Sequence, residues 1–143
     1  VEMVVRGYLT GSAWRDYQSG IDISGIKLPQ GLKKNQKFDE AIVTPSTKAE
    51  IGKHDVHISK EEIIKQGIVS FDLMKKMEDA ALSLYEKGVK IAATQGLILV
   101  DTKYEFGLMQ DELIVIDEIH TPDSSRYWHK ETYQKRFEQN LSP

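Results

Sequence analysis

Two apolar runs, residues 97–100 and 113–116, stand on either side of a charged stretch and a short polar break, and no other segment narrows the choice of fold so far. The apolar residues are consecutive instead of being spaced three and four apart, and the second run ends in Asp117-Glu118, so the pattern predicts a β-hairpin. Alternate side chains of a strand share a face. Asp101, Lys103 and Glu105 are therefore expected on one face and Thr102, Tyr104 and Phe106 on the other. A solvated strand face explains such a row as readily as a site does, and the second strand decides between them.

With an odd number of loop residues Glu105 falls opposite Asp117, and directly opposed acids repel unless a cation lies between them. A two-residue loop at Gln110-Asp111 would instead turn Asp117 to the other face, because one residue of slip flips a whole strand. A metal site at Glu105 and Asp117 is thus expected to require the odd register. Magnesium takes oxygen ligands, often one or two carboxylates with water and phosphate completing the shell. Lys103 beside that pair suits a phosphate.

A chain of 143 residues with 40% hydrophobic content can bury its own core and suggests one domain. The net charge of -3 leaves no broad basic footprint for nucleic acid. No apolar run approaches the roughly eighteen residues that span a bilayer, and nothing at the start resembles a signal peptide. Without cysteine there is no disulfide, thiol nucleophile or thiolate metal site. The expectation is a cytoplasmic protein that binds neither nucleic acid nor membrane.

Residues 1–9 are rich in β-formers and Thr10-Gly11-Ser12 breaks the pattern, which puts Arg6 late in a strand and Ser12 in the following turn. A surface ion pair is the ordinary account of an arginine. A Gly-Ser turn next to one, however, supplies backbone N–H groups, a hydroxyl and a guanidinium fork, which together suit a phosphate monoester. Residues 14–20 read as a short helix and 20–31 as a loop; Lys33, Lys34 and Lys37 read as solvated surface. Residues 38–43 suggest another strand, followed by a polar turn at residues 44–48.

Ser59 with Glu62 forms a capping box, with Ile58 and Ile63 as its hydrophobic staple, for a helix over about residues 60–66 that stops at Gly67. Ser70 caps a second helix whose Met74, Met77, Ala81, Leu84, Tyr85, Gly88 and Ile91 form a core stripe, running to about Thr94 before Gly96. After the hairpin, residues 121–125 cannot continue a strand; Ser124 or Asp123 is expected to cap a helix there, with Arg126 near the cleft of Asp117. A further amphipathic helix is expected over residues 129–140. Four scattered histidines, His54 among them, lack HxxxH or HxH spacing and argue against zinc.

Three of these stretches carry a resemblance. Residues 99–107, Leu-Val-Asp-Thr-Lys-Tyr-Glu-Phe-Gly, and residues 4–12, Val-Val-Arg-Gly-Tyr-Leu-Thr-Gly-Ser, resemble two signatures of the SAICAR synthetases, the ATP-dependent ligases of purine biosynthesis. Residues 117–128, Asp-Glu-Ile-His-Thr-Pro-Asp-Ser-Ser-Arg-Tyr-Trp, resemble a third at the expected distance. The resemblance implies an α+β fold with an antiparallel sheet and packed helices, kinase-like and ATP-grasp-like, this chain being the central and carboxy-terminal part of the catalytic domain. An amino-terminal ATP-binding lobe is expected to precede it.

The implied reaction joins L-aspartate to the carboxylate of carboxyaminoimidazole ribotide (CAIR) through an acyl phosphate, with ATP and Mg2+ as cofactors and SAICAR as product. By the same resemblance Arg6, Ser12 and Arg126 bind the ribotide phosphate, Lys48 and Asp55 line the substrate site, Glu105 and Asp117 hold the metal, and Lys103, Asp101 and Asp123 are catalytic. Two rival readings are a non-catalytic fragment that binds ribotide or nucleotide phosphate and a small-molecule kinase with the same acidic hairpin. A serine or cysteine hydrolase is disfavoured, since there is neither a G-x-S-x-G elbow nor a cysteine.

Overall fold

Residues 1–47 and 56–143 are described by the computed structural model. Their elements run β1 (Glu2–Tyr8), α1 (Gly11–Gln18), β2 (Lys37–Thr47), β3 (Val56–His57), α2 (Lys60–Lys65), α3 (Phe71–Thr94), β4 (Leu97–Met109), β5 (Glu112–Ile116), β6 (Ser125–His129) and α4 (Lys130–Glu138). The strands form one antiparallel sheet in the order β3-β2-β1-β4-β5, and β6 also pairs with β4. The outer edge of β4 therefore serves two partners in turn, β6 along Leu97 to Thr102 and β5 along Glu105 to Met109. The α+β expectation holds. Among the described residues no helix is long and apolar enough to cross a membrane.

The 24 residues of α3 span about 36 Å at 1.5 Å per residue and cover one face of the sheet. Met74, Met77, Ala81 and Tyr85 pack there against Met3 and Val5 of β1, Val43 of β2, and Leu99 and Tyr104 of β4. Burying a side chain of this size contributes about 1.5–3 kcal/mol. The opposite face is covered at one end only: Tyr8, Val100, Trp128 and Tyr133 of α4 form one small cluster, and Leu9, Ala13, Ile23 and Phe38 another beneath α1. The rest of that face is the cleft.

Caps fall where the sequence puts them. Ser70 Oγ accepts from the Leu73 N–H at 3.2 Å and Ser59 Oγ from the Glu62 N–H at 3.1 Å. The Glu62 carboxylate accepts from the Gln66 side chain at 2.9 Å, one turn along its own helix. Two expectations are corrected. Residues 44–47 continue β2 instead of turning, since pairing of Thr44 with Val4 and Ser46 with Glu2 overrides the turn propensity of Thr-Pro-Ser-Thr. Residues 125–129 form β6 and not a helix, and Ser124 Oγ donates to the Thr121 carbonyl at 3.3 Å instead of capping one.

One irregularity decides which side chains meet the cleft. Between β4 and β6 the register steps from Leu99↔Tyr127 to Asp101↔Arg126, so Val100 is an extra residue, a β-bulge. Leu99 faces α3, and without the bulge Asp101 would follow it into that apolar layer. With the bulge, Asp101 joins Lys103 on the cleft face while Thr102 and Tyr104 turn toward α3, opposite Val5 and Met3. The alternation expected from the sequence is thus realised through a backbone step that it did not reveal.

Tyr85 of α3 secures the bulge: its hydroxyl reaches the carbonyls of Leu99 at 2.8 Å and Val100 at 3.2 Å. That hydroxyl fills the place of a side chain at Gly7, where an added Cβ would lie 2.1 Å from the Tyr85 oxygen. Tyr85→Phe is expected to destabilise by about 1–2 kcal/mol, leaving buried carbonyls short of a donor. Gly7→Ala alone should cost more, because oxygen and methyl cannot share the space. In the double variant the Cβ meets the ring carbon at 3.2 Å and the Val100 carbonyl at 3.5 Å, so urea midpoints should show the second substitution costing less than it does alone; additive losses would refute this packing account.

Candidate functional site

The uncovered part of the cleft face holds two adjoining hollows. The larger, about 590 Å³, is lined by Arg6, Ser12, His57, Asp101 and Arg126 with their neighbours. The smaller, about 180 Å³, is lined by Glu105, Asp117, Glu118 and Asp123. Glu2, Lys103 and Ser124 line both. A cationic end and an acidic end are thus joined across one lysine.

At the cationic end Arg6, almost fully buried on β1, donates through Nε to Thr44 Oγ1 at 2.9 Å and through its terminal nitrogen to Ser12 Oγ at 3.3 Å. Ser12 Oγ also lies 3.3 Å from His57 Nε2. Arg126 comes from β6, paired with Asp101, and its guanidinium nitrogen stands 3.6 Å from Asp101 Oδ2. Gly11 makes room for it. Its φ of +61° is a conformation that L side chains rarely adopt, and an added Cβ would lie 2.8 Å from an Arg126 nitrogen. Two guanidinium groups and a hydroxyl therefore converge as the sequence suggested, although Gly11 and Ser12 open α1, which runs to Gln18, instead of forming a turn ahead of a helix at 14–20.

Asp101 is placed among the arginines, opposite Arg6 in the β1–β4 register. Its Oδ2 is buried without a hydrogen-bond donor, the Arg126 approach being an ion pair beyond hydrogen-bond length. Burial pushes its carboxyl above the ordinary 3.8, against the opposing pulls of Arg126 and Arg6. Burial likewise lowers the Arg6 value, with Asp101 working the other way.

At the acidic end the register differs from the one the metal reading was expected to need. The loop is the two-residue Gln110-Asp111, with φ of +50° and +65°, and Glu105 pairs with Ile116. Continued regularly, β5 would carry Asp117 away from Glu105. It ends instead at Ile116, and Asp117 adopts φ +65° and lines the same hollow as Glu105. The two carboxylates share a side because the chain leaves the strand. Among the described residues no group of three or more His, Cys, Asp or Glu is arranged to hold a metal.

The segment 117–124 fills the gap that β5 and β6 leave along β4, where the Lys103 N–H donates to the Ser124 carbonyl at 3.1 Å. It is anchored from the opposite face. The His120 ring pairs with the Tyr104 hydroxyl, fits against Gly88 where a Cβ would lie 2.7 Å from it, and its carbonyl accepts from Tyr127 at 2.6 Å. Burial lowers the His120 pKa, which favours the neutral ring.

Lys103, Asp101 and Arg126 therefore line the larger hollow with Arg6 and Ser12, and Glu105, Asp117 and Asp123 the smaller one. Lys48 and Asp55 lie outside the described residues. Sequence reasoning passed over Glu2, buried opposite Glu105 with its carboxylate 3.9 Å from Lys103 Nζ, although its spacing of four from Arg6 puts both on one strand face. It also passed over Arg15, one turn beyond Ser12, and His57, for which no local pattern gave a signal.

The SAICAR synthetase family model matches residues 1–142. A phosphoribosylaminoimidazole-succinocarboxamide synthase from Bacteroides thetaiotaomicron is 58% identical over 96% of this chain and 44% of its own length, and one from Bacteroides fragilis 59% over the same shares. The chain thus spans less than half the length of these relatives. Among solved structures, the SAICAR synthase of Saccharomyces cerevisiae complexed with SAICAR superposes with a TM-score of 0.82 at 43% identity, over 92% of this chain and 42% of that one. A SAICAR synthetase in complex with ADP gives 0.74 at 31% identity, over 99% and 56%.

Because Asp101 binds its proton more tightly folded than unfolded, its contribution to stability falls as pH rises through the window that opens at 3.8, and is constant above its folded value. An ordinary ion-paired carboxylate has the opposite sign. Urea unfolding of the parent and Asp101→Asn between pH 4 and 7 should show the difference shifting toward Asn with rising pH. A shift toward the parent would mean that the arginines outweigh burial.

Proposed function

The chain belongs to the SAICAR synthetase family, and on that premise we propose that it forms the ribotide-binding and reacting part of an ATP-dependent ligase that joins L-aspartate to the carboxylate of CAIR. One observation carries this reading: a single cleft has the guanidinium groups of Arg6, Arg15 and Arg126 at one end, acids at the other, and Lys103 between them. The phosphate end of CAIR matches the guanidinium groups, and its carboxylate end would need a cation held by the acids to offset their charge. The relatives in complex with SAICAR and with ADP add support. The reading includes a cytoplasmic location, where ATP and L-aspartate are at hand.

Joining a carboxylate to an amine is uphill in water because the carboxylate oxygen leaves poorly. Phosphorylation by ATP turns it into a leaving phosphate: the carboxylate oxygen attacks the γ-phosphorus, ADP departs, and the amine of L-aspartate then displaces phosphate at the acyl carbon and loses a proton. Such transfers ask the protein mainly for position and charge neutralisation. Arg6, Ser12 and Arg126 grip the ribotide phosphate, and that remote binding orients the reacting end. Lys103 offsets charge on the transferred group. Asp101 keeps the two guanidinium groups together against their repulsion, and Asp123 flanks the reacting carboxylate. Lys48 and Asp55 remain assigned to the substrate by family likeness. We assign adenine recognition to the part of the relatives' length that this chain does not span.

Glu105 and Asp117 suit a magnesium ion: two carboxylates on one hollow, with room for phosphate and water oxygens, are the usual protein share of its shell. When bound, the ion supplies charge neutralisation on the nucleotide phosphates.

In the complete enzyme, Glu105→Gln and Asp117→Asn are expected to lower kcat by about a hundredfold or more with an unchanged urea midpoint. Near-normal turnover at limiting magnesium in either variant would overturn the ligand assignment. Arg6→Ala should raise the CAIR KM at least about tenfold, the loss of charge-assisted hydrogen bonds, and leave the ATP KM alone. Phosphate release from CAIR, ATP and L-aspartate tests the whole reading and separates it from a module that only binds.

A further inference from the structure

We infer that Thr44 is a positioning residue for the phosphate grip, fixing the orientation of the Arg6 fork from the neighbouring strand; this rests on the proposed role of Arg6. Thr44 is fully buried on β2, opposite Val4. Its Oγ1 donates to the Val4 carbonyl at 3.3 Å and accepts from Arg6 Nε at 2.9 Å. With the hydroxyl's only proton given to the backbone, its lone pairs are left for the guanidinium, so the polarity of the contact is set.

The consequence is geometric. A guanidinium is planar and rigid, so anchoring Nε fixes the plane in which the two terminal nitrogens present themselves. One of them already reaches Ser12 Oγ at 3.3 Å, on the cleft side. Thr44 is β-branched and stiff at χ1, and it is held by the β1–β2 ladder, so the anchor does not follow the arginine if that turns. Loss of the hydroxyl leaves a buried N–H without its acceptor and frees the fork to rotate. The charge remains, and so does long-range attraction for an anion; the bidentate match to phosphate oxygens is lost.

The complete enzyme bearing Thr44→Val, and separately Thr44→Ala, tests this against Arg6→Ala. Both Thr44 variants should raise the CAIR KM about tenfold, weaken competitive inhibition by inorganic phosphate by a similar factor, and leave kcat and the ATP KM within about twofold. Thr44→Ser, which keeps the hydroxyl without the stiff branch, should recover most of the loss, and Thr44→Val should add little on the Arg6→Ala background. If Arg6→Ala raises the CAIR KM and folded Thr44→Val does not, the inference fails while the reading of Arg6 stands. If Arg6→Ala leaves it unchanged, both fail. A parallel loss in kcat and in both KM values would mark a merely structural threonine and overturn the inference.

Discussion

The Tyr85 hydroxyl lies where Gly7 has no side chain, and on that contact depends the set of groups that meets the cleft. It holds the Leu99 and Val100 carbonyls at the point where β4 takes an extra residue. That residue reverses the parity of the strand, so Leu99 packs under α3 while Asp101 emerges beside Arg6 and Arg126. The apolar layer and the charged cleft are built from one strand by a single backbone step. An enzyme site and a hydrophobic core usually compete for the same positions; here a helix side chain separates their claims.

The cleft is electrostatically asymmetric along its length. Arg6 and Arg126 share one buried carboxylate, which leaves an excess of positive charge at the end of the cleft where Arg6 is buried and Arg126 reaches solvent. Lys103 divides this end from Glu105, Asp117, Glu118 and Asp123. The phosphate end of an elongated ligand is drawn to the arginines by such a gradient before any single hydrogen bond forms. The rigidity comes from behind: β1 and β4 are central strands, and His120 pins the acidic loop to the α3 side through Tyr104 and Gly88.

Much of this was legible in the residues. The spacing from Met74 to Gly88 placed α3 almost to the residue, and Ser59 and Ser70 marked both helix starts, because capping and amphipathic periodicity are local; Ile91, read as the end of the core stripe, is exposed instead, and Ala92 is buried in its place. The face shared by Asp101, Lys103 and Glu105 was legible too, as was the convergence of Arg6 with Ser12. What was not legible depends on partners distant in sequence. Thr44-Pro45-Ser46-Thr47 has turn chemistry and becomes strand because β1 pairs with it. A two-residue turn at Gln110-Asp111 was one of the alternatives, but without an Asn-Gly signal the sequence could not choose between its register and the odd one. The resulting even register was expected to separate Glu105 from Asp117, and the left-handed backbone of Asp117 undoes that separation. Glu2 and His57 matter through what lies across the sheet, which no window of sequence displays.

The double use of the β4 edge has a consequence for how this chain tolerates change in length. Segment 117–124 bridges a fixed interval between two strands laid end to end on the same neighbour, like a span between two piers. Adding or removing a residue there would slide one strand against β4 and turn its side chains over, carrying Arg126 or Asp117 out of the cleft. The hairpin tip at 110–111 has no such constraint. Variation in length has room at the tip, whereas the distance along the chain from Ile116 to Ser125 is set by the spacing of the sheet.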